Sequence, residues 1–378
     1  MLLYLNNISL IEWITTGIIS LLFFIRFYFY LLQLKLLKQL RQSDKPNHIV
    51  PVSVIIAAKN EAQNLEKFLP GILEQDYPDF EVIVVDDGST DETSLILENF
   101  KKKQTHLITT YIKPDKKFKH GKKLAITIGL KAAKNKNLVF TDADCHVQSN
   151  QWLKQMSRNF KGNTLVLGFG GYEKENTFLN RLVRYDTVEI AILYFSKALS
   201  GRPYMGVGRN LAYTKNLYDQ VKGFSSHYHI PTGDDDLFVR EASTYAKTTI
   251  ETDPKSFTMS VPPQSFKAWQ QQKSRHLRSS NFYSFGQNAF LGLESFSRGT
   301  FHLFAVTGII LFPKILLLTL IIVLIDLVIK LILSGKLFRH FGSKDLIFFE
   351  FFFDIIVPFL VFVRLIINIF TRQKKIWT

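Results

Sequence analysis

Three aspartate-bearing stretches hold the side chains best suited to chemistry in this chain of 378 residues: Asp86-Asp87-Gly88-Ser89, Asp142-Ala143-Asp144 and Asp234-Asp235-Asp236-Leu237. Carboxylates this close to apolar segments are costly unless a cation or a hydrogen-bond donor meets them, so a divalent metal or a ligand is the partner they call for. The ordinary alternative is a set of solvated turns. Two aspartates separated by one residue in an extended segment point to the same side, so Asp142 and Asp144 can share a metal or divide metal and ribose between them. Between the first two acidic stretches, Gly121-Lys122-Lys123 opens a helical pattern whose amide end and ammonium groups suit a diphosphate. A plain solvated helix start explains the two lysines equally well.

The elements that must position these residues alternate along the chain. Val52–Ala57 reads as a buried strand, and 61–73 repeats Leu65, Phe68, Leu69 and Ile72 at helical spacing. Strands then follow over 81–85, 106–112 and 138–141, separated by helices over 93–100 and 122–133. Such alternation predicts a mostly parallel sheet with helices on both faces. In open sheets of that kind a ligand sits outside the carboxyl ends of the strands, where Asp86-Asp87 and Asp142-Asp144 both fall.

Long apolar runs flank this region. The run 8–32 is broken only by Glu12 and Arg26 among its charged positions, and at ~1.5 Å per residue it can cross ~30 Å of hydrocarbon. Its start, Met1 to Leu5, lacks a basic segment and no small-residue cleavage site follows, so an uncleaved anchor is expected rather than a removed signal peptide. Lys35, Lys38 and Arg41 then place the following chain on the cytoplasmic side, and a polar linker runs from Arg41 to His48. Near the other end two spans are expected, one within 301–333 with a kink or interfacial segment at Pro313, the other over 346–370. The loop between them would carry Lys336, Arg339 and Lys344. Asp326 and Asp354, as single carboxylates near span ends, are expected to face the interface or a partner helix. The net charge of +15 is read as membrane-adjacent, with basic groups at 35–41, 113–123 and 372–375; no zinc-finger or RNP pattern accompanies them, so nucleic acid is not an expected partner. One cysteine, Cys145, cannot form an internal disulfide, and a lone thiol is usually a small packed side chain rather than a metal ligand.

Taken together, Ala57-Ala58-Lys59-Asn60-Glu61, Val84-Val85-Asp86-Asp87-Gly88-Ser89-Thr90-Asp91 and Thr141-Asp142-Ala143-Asp144 resemble family 2 glycosyltransferases of the membrane-anchored bacterial type. The resemblance continues through Gly206-Val207-Gly208-Arg209-Asn210-Leu211-Ala212, through Thr232-Gly233-Asp234-Asp235-Asp236-Leu237, similar to Thr-Glu-Asp-x-Asp-Leu, and through Gln272-Lys273-Ser274-Arg275-His276, similar to Gln-x-x-Arg-Trp. It implies an α/β chain: a GT-A, Rossmann-like nucleotide-diphosphosugar transferase domain over 49–299. An N-terminal transmembrane anchor and linker would occupy 1–48 and a C-terminal transmembrane region 300–378. Carried over, Ala58, Asn60, Glu61, Asp86, Asp87, Lys122 and Asp142 would bind the nucleotide donor. Asp142 and Asp144 would hold Mg2+ or Mn2+, and Asp236, Gln272, Arg275 and His276 would serve diphosphate and acceptor. Asp234 would be the general base, with Asp235 competing for that role.

Two departures shape the expectation. Gly233 stands where the family has Glu, and His276 where polymerising members have Trp; the smaller imidazole face and about three spans argue for addition of one or few sugars. The expected activity is inverting transfer from a nucleotide-diphosphate sugar, UDP-linked first, to a lipid-linked or glycan acceptor at the cytoplasmic face of the inner membrane. A catalytically silent nucleotide-binding scaffold, a processive polysaccharide synthase and a transport subunit are the alternatives.

Overall fold

The computed structural model describes residues 9–41, 48–114 and 121–370, with only the backbone described at 368–370. Met1 to Leu5 and the signal-peptide question, most of the linker, the middle of the basic group 113–123 and the group 372–375 lie outside the described residues. By its internal contacts the chain forms two compact units: the first helix up to Lys38 together with the segment from Tyr283, and the segment Gln39–Phe282.

The second unit is built on a seven-stranded sheet. Its first four strands are β1 (Val52–Ala58), β2 (Phe80–Asp86), β3 (Leu107–Tyr111) and β4 (Asn137–Asp142). They pair in parallel in the order β3-β2-β1-β4, within two residues of the predicted bounds. Val52, Val54, Ile56, Val82 and Val84 are fully buried because helices cover both faces, the condition under which strands read as continuous apolar runs. Helix Ala62–Leu73 turns Leu65, Phe68, Leu69, Ile72 and Leu73 inward at the 3.6-residue period. β5 (Cys145–Val147), β7 (Gly170–Tyr172) and β10 (Thr258–Ser260) form a small second sheet, while β6 (Thr164–Leu167), β8 (Leu211–Thr214) and β9 (Lys247–Ile250) complete the large one. β8 runs antiparallel between β4 and β6, so the large sheet is mixed at that edge. The register sets Ala58 beside Asp86 and Ala57 beside Asp142, bringing two acidic strand ends to either side of the β1 carboxyl end. Trp269 is buried against Phe266.

The first unit is helical: Leu10–Leu40, Phe285–Leu311, Leu316–His340 and Glu350–Phe370. Three segments are long and apolar enough to cross a membrane: Leu10–Leu40, Pro313–His340 and Lys344–Ile367. The helical path breaks at Pro313–Ile315, where proline cannot continue the preceding hydrogen-bond ladder. Lys336 and Arg339 lie inside Leu316–His340 rather than in a loop, because that helix runs seven residues past the last apolar position of the run read from sequence.

Of the two expectations for Asp326 and Asp354, the partner helix is the one met. Neither faces the interface; both are buried, in a network spread over all four helices. Arg26 donates to both Asp326 oxygens at 2.8 and 2.9 Å and to Asp354 at 3.0 Å. Arg298 Nε lies 2.8 Å from Asp354, and Lys330 Nζ 3.0 Å from Glu350. The partner for Asp326 is thus a residue 300 positions earlier, which no local pattern reveals.

Candidate active site

The acidic strand ends do not all do the same thing. Asp86 closes its own loop: one oxygen accepts from the Ser89 amide at 2.8 Å and the other from the Ser94 hydroxyl at 2.5 Å. Asp87 follows, buried, with Lys59 Nζ 4.0 Å away. Asn60 lies in the left-handed region at φ 56, a conformation Asn tolerates better than most residues, and its side-chain oxygen accepts from the Thr90 amide at 2.8 Å. The turn after β1 is thereby laced to the turn after β2. Glu61 begins the next helix within electrostatic reach of Asp144 and Asp142, and burial followed by those two charges raises its carboxyl above the usual range.

Asp142 ends β4 and Asp144 begins the turn into β5. The Asp142, Asp144 and Cys145 ligand atoms lie within 4.8 Å of one another. Burial, then the neighbouring Asp142, raises the Asp144 carboxyl. Burial, then Asp144, pushes the Cys145 thiol well up, so it stays protonated and donates to Asp144 at 3.4 Å. The hard oxygens of Asp142 and Asp144 suit Mg2+ or Mn2+; a protonated thiol does not ligate either.

Lys122 and Lys123, alike in sequence, part company here. Lys123 is buried and caps the carbonyls of His227 and Ile230 at 2.6 and 2.9 Å. Lys122 bridges Asp142 at 2.7 Å and Asp234 at 3.0 Å, joining the strand-end pair to the third acidic stretch across a cavity lined by Ala57, Thr141, Gly208 and Tyr213.

Within that stretch the three carboxylates are also distinct. Burial opposes ionisation of Asp234, but Lys122 overcomes it and holds the carboxyl below its usual value. Asp235 is raised to about 7 by burial and then by Asp234 and Asp236. Both its oxygens are engaged, accepting from the Asp236 amide at 2.7 Å and the Gly208 amide at 3.0 Å. Asp236 is buried and accepts from the Leu237 amide at 2.8 Å. Gly233 has φ +89, and a Cβ there would stand 2.5 Å from Leu237 Cδ1, so the Glu of the resembling motif has neither the backbone conformation nor the space.

Gln272 does not project free: its amide donates to the Tyr172 hydroxyl at 2.6 Å. Arg275 and His276 are exposed on helix Phe266–Ser279, with His276 within electrostatic reach of Arg209 and Asp234. Arg209 and Tyr172 were not singled out from sequence; the available signal was the glycine-rich 168–171 facing Arg209 and Asn210, visible only once β7 and β8 are placed.

Comparison with known proteins bears on the family and the fold. Residues 53–213 match the family model described as glycosyl transferase family 2. Poly-beta-1,6-N-acetyl-D-glucosamine synthase of Staphylococcus epidermidis is 25% identical over 165 residues, 44% of this chain and 39% of the relative. The GalNAc(5)-diNAcBac-PP-undecaprenol beta-1,3-glucosyltransferase of Campylobacter jejuni is 31% identical over 124 residues, 33% of this chain and 39% of the relative. The chain therefore matches only 39% of the length of these relatives. Among solved structures, the mannosyltransferase PcManGT from Pyrobaculum calidifontis, in complex with GDP-Man and Mn2+, superposes with a TM-score of 0.58 at 18% identity. That match covers 96% of this chain and 100% of the other. At that identity the likeness is one of fold.

Proposed function

From the premise that the chain belongs, through residues 53–213, to glycosyltransferase family 2 and has the GT-A fold, we propose that it moves a sugar from a nucleotide-diphosphate donor to a lipid-linked or glycan acceptor at the cytoplasmic face of a membrane. The observation that carries this reading is the Asp142–Lys122–Asp234 bridge, which sets a metal-competent carboxylate pair beside one ionised carboxylate. The relatives' names supply the acceptor classes, one a polysaccharide and one an undecaprenol diphosphate.

In this reading the turns holding Asn60, Glu61 and Asp87 receive the nucleoside, and Asp142 and Asp144 would hold Mg2+ or Mn2+. The metal, when bound, offsets negative charge growing on the leaving diphosphate. Asp234 takes the proton of the acceptor hydroxyl as the hydroxyl oxygen bonds to the anomeric carbon, and the bond from that carbon to the diphosphate oxygen breaks. The outcome is inversion and release of a nucleoside diphosphate. Lys122 keeps Asp234 ionised in the free protein; a bound diphosphate would compete for the ammonium and leave Asp234 the stronger base. Asp235 is a poorer candidate, since both its oxygens already accept backbone amides. The Gly233 change leaves the base in place, which disfavours a silent scaffold.

The test is a panel of UDP- and GDP-linked sugars offered to the purified full chain with Mg2+ or Mn2+, scored by nucleoside diphosphate release. Release from at least one donor, lost on chelation, is expected. Binding of nucleoside diphosphate with no turnover of any donor would leave only the scaffold.

A further inference from the structure

The donor site holds a cation that the sequence motifs do not point to. Arg209 opens the segment into β8, and its carbonyl is fixed by the hydroxyls of Thr141 at 3.0 Å and Thr258 at 2.9 Å. Thr141 is the residue immediately before Asp142, so the Arg209 backbone is tied to the metal-competent pair. From there the side chain runs across Gly170, where a Cβ would stand 2.5 Å from both Arg209 Cγ and Nε. Only glycine admits this approach. The guanidinium ends over the ring of Tyr172, 4.5 Å from its centroid, with Ser260 Oγ at 3.5 Å.

What the guanidinium lacks is a carboxylate. Arg158 in the same unit is clamped by Glu251 with two hydrogen bonds of 3.0 Å. Arg209, by contrast, makes no ion pair among the described residues, although Asp144 is near enough to act on it electrostatically. A planar, always-charged fork held rigidly beside a metal-competent pair, with donors to spare, matches an anion that would share that metal. Its support is also organised: Gln272 donates to the Tyr172 hydroxyl at 2.6 Å, so the Gln272–Arg275 helix is coupled to Arg209 through the ring on which the guanidinium lies.

We propose that Arg209 is a second guanidinium contact, beside Arg275, for the β-phosphate of the nucleotide donor, with Tyr172 and Gln272 as the residues that position it. This rests on the nucleotide-sugar reading above and adds to it which residue grips the leaving group. It also gives Gln272 an indirect task, holding Tyr172 rather than touching the diphosphate.

The test compares UDP with UMP, and GDP with GMP, by titration calorimetry on the full chain in detergent with Mn2+. Arg209→Gln is expected to weaken diphosphate binding about tenfold, the scale of a lost charged hydrogen bond, while monophosphate binding changes less than about twofold. Gly170→Ala retains the guanidinium but displaces it and is expected to shift the same ratio in the same direction; Tyr172→Phe keeps the ring, cuts the link to Gln272 and is expected to shift it less. Arg209→Lys, which conserves charge without the fork, serves if the glutamine variant does not fold, and is expected to fall between it and the unsubstituted chain. An unchanged diphosphate-to-monophosphate ratio in the Arg209 variants would overturn the assignment while leaving the donor reading intact. If the unsubstituted chain binds neither UDP nor GDP, the donor reading falls and this inference with it.

Discussion

The helical unit and the strand ends of the sheet unit each gather several carboxylates, and they balance them in opposite ways. In the helical unit Asp354 alone meets Arg26, Arg298, Lys330 and His302. Asp326 meets Arg26 and the Tyr30 hydroxyl. At the strand ends, by contrast, Lys122 pairs with Asp142 and Asp234, Lys123 is spent on two carbonyls, and Glu61, Asp144 and Asp235 have no cation in an ion pair among the described residues, with Arg209 acting on Asp144 only from a distance. Glu61, Asp144 and Asp235 are accordingly raised above their usual carboxylate range, which is what incomplete neutralisation under burial produces. A closed cluster stores its electrostatics in the fold. An open one holds them in reserve for a ligand.

The largest expected effect separates the two directly. Asp234→Asn and Asp144→Asn are each expected to cut sugar transfer by about 10²-fold or more, the range associated with a lost general acid or base, while leaving thermal unfolding nearly unmoved. Removing Asp144 relieves repulsion from Asp142, and removing Asp234 still leaves Lys122 its bridge to Asp142 at 2.7 Å. A large fall in melting temperature with turnover preserved would erase the distinction. Arg26→Ala should do the reverse: it leaves two buried carboxylates short of their cation, a loss on the order of 3–5 kcal/mol seen as a lower unfolding midpoint in detergent, with nucleotide binding at the folded fraction unchanged. A combined Arg26→Met and Asp326→Leu exchange should cost less than Arg26→Ala, because a buried pair replaced together strands no charge.

Gly233→Glu tests whether the open cluster owes its form to the backbone beneath it. Restoring the family's usual residue puts a side chain at φ +89 and against Leu237, a strain of about 1–2 kcal/mol from the left-handed conformation alone. It also adds a carboxylate where charge is already unbalanced. Lower stability and lower turnover together are expected from enzyme assay and thermal unfolding; a fully active, equally stable variant would mean the loop has room that the geometry denies.

How much of this could be read from sequence follows the same divide between local and distant causes. β1 to β4 and their helices were legible because strands covered on both faces and helices with one apolar face write their periods into contiguous residues. β5, β7 and β10 were not, since three-residue strands owe their existence to pairing with partners far along the chain. Asp142-Asp144 was legible as a pair. The ranking of Asp234 over Asp235 was only suggested by alignment; its physical basis is that Lys122 reaches the first and two backbone amides occupy the second. Lys122 and Lys123 were undecidable because their difference lies in which carbonyls the loop 227–230 presents. Arg209 was within a quoted motif yet silent, its meaning supplied by Gly170 and Tyr172 some forty residues earlier, and Asp326 waited on Arg26 in the same way.

Asp235 gives the finest test, because it is the carboxylate in the open cluster whose imbalance should be visible as a slope with pH. Its ordinary value is 3.8 and the fold raises it to about 7, burial first and the neighbouring aspartates next. Between those values the folded chain holds a proton that the unfolded chain has lost, so stability falls as pH rises through this window and stays lowered above it. Asparagine keeps the shape but only one acceptor oxygen, so it turns an NH2 toward either the Asp236 or the Gly208 amide, and it cannot ionise. Asp235→Asn should therefore start lower than the unsubstituted chain near pH 4, for the lost backbone hydrogen bond, and gain on it by up to about 4 kcal/mol by pH 8, with sugar transfer still present because Asp234 is untouched. Thermal unfolding at the two pH values reads the slope. If the two proteins keep the same difference at both, Asp235 is already charged in the fold, and the open cluster is better neutralised than its distances imply.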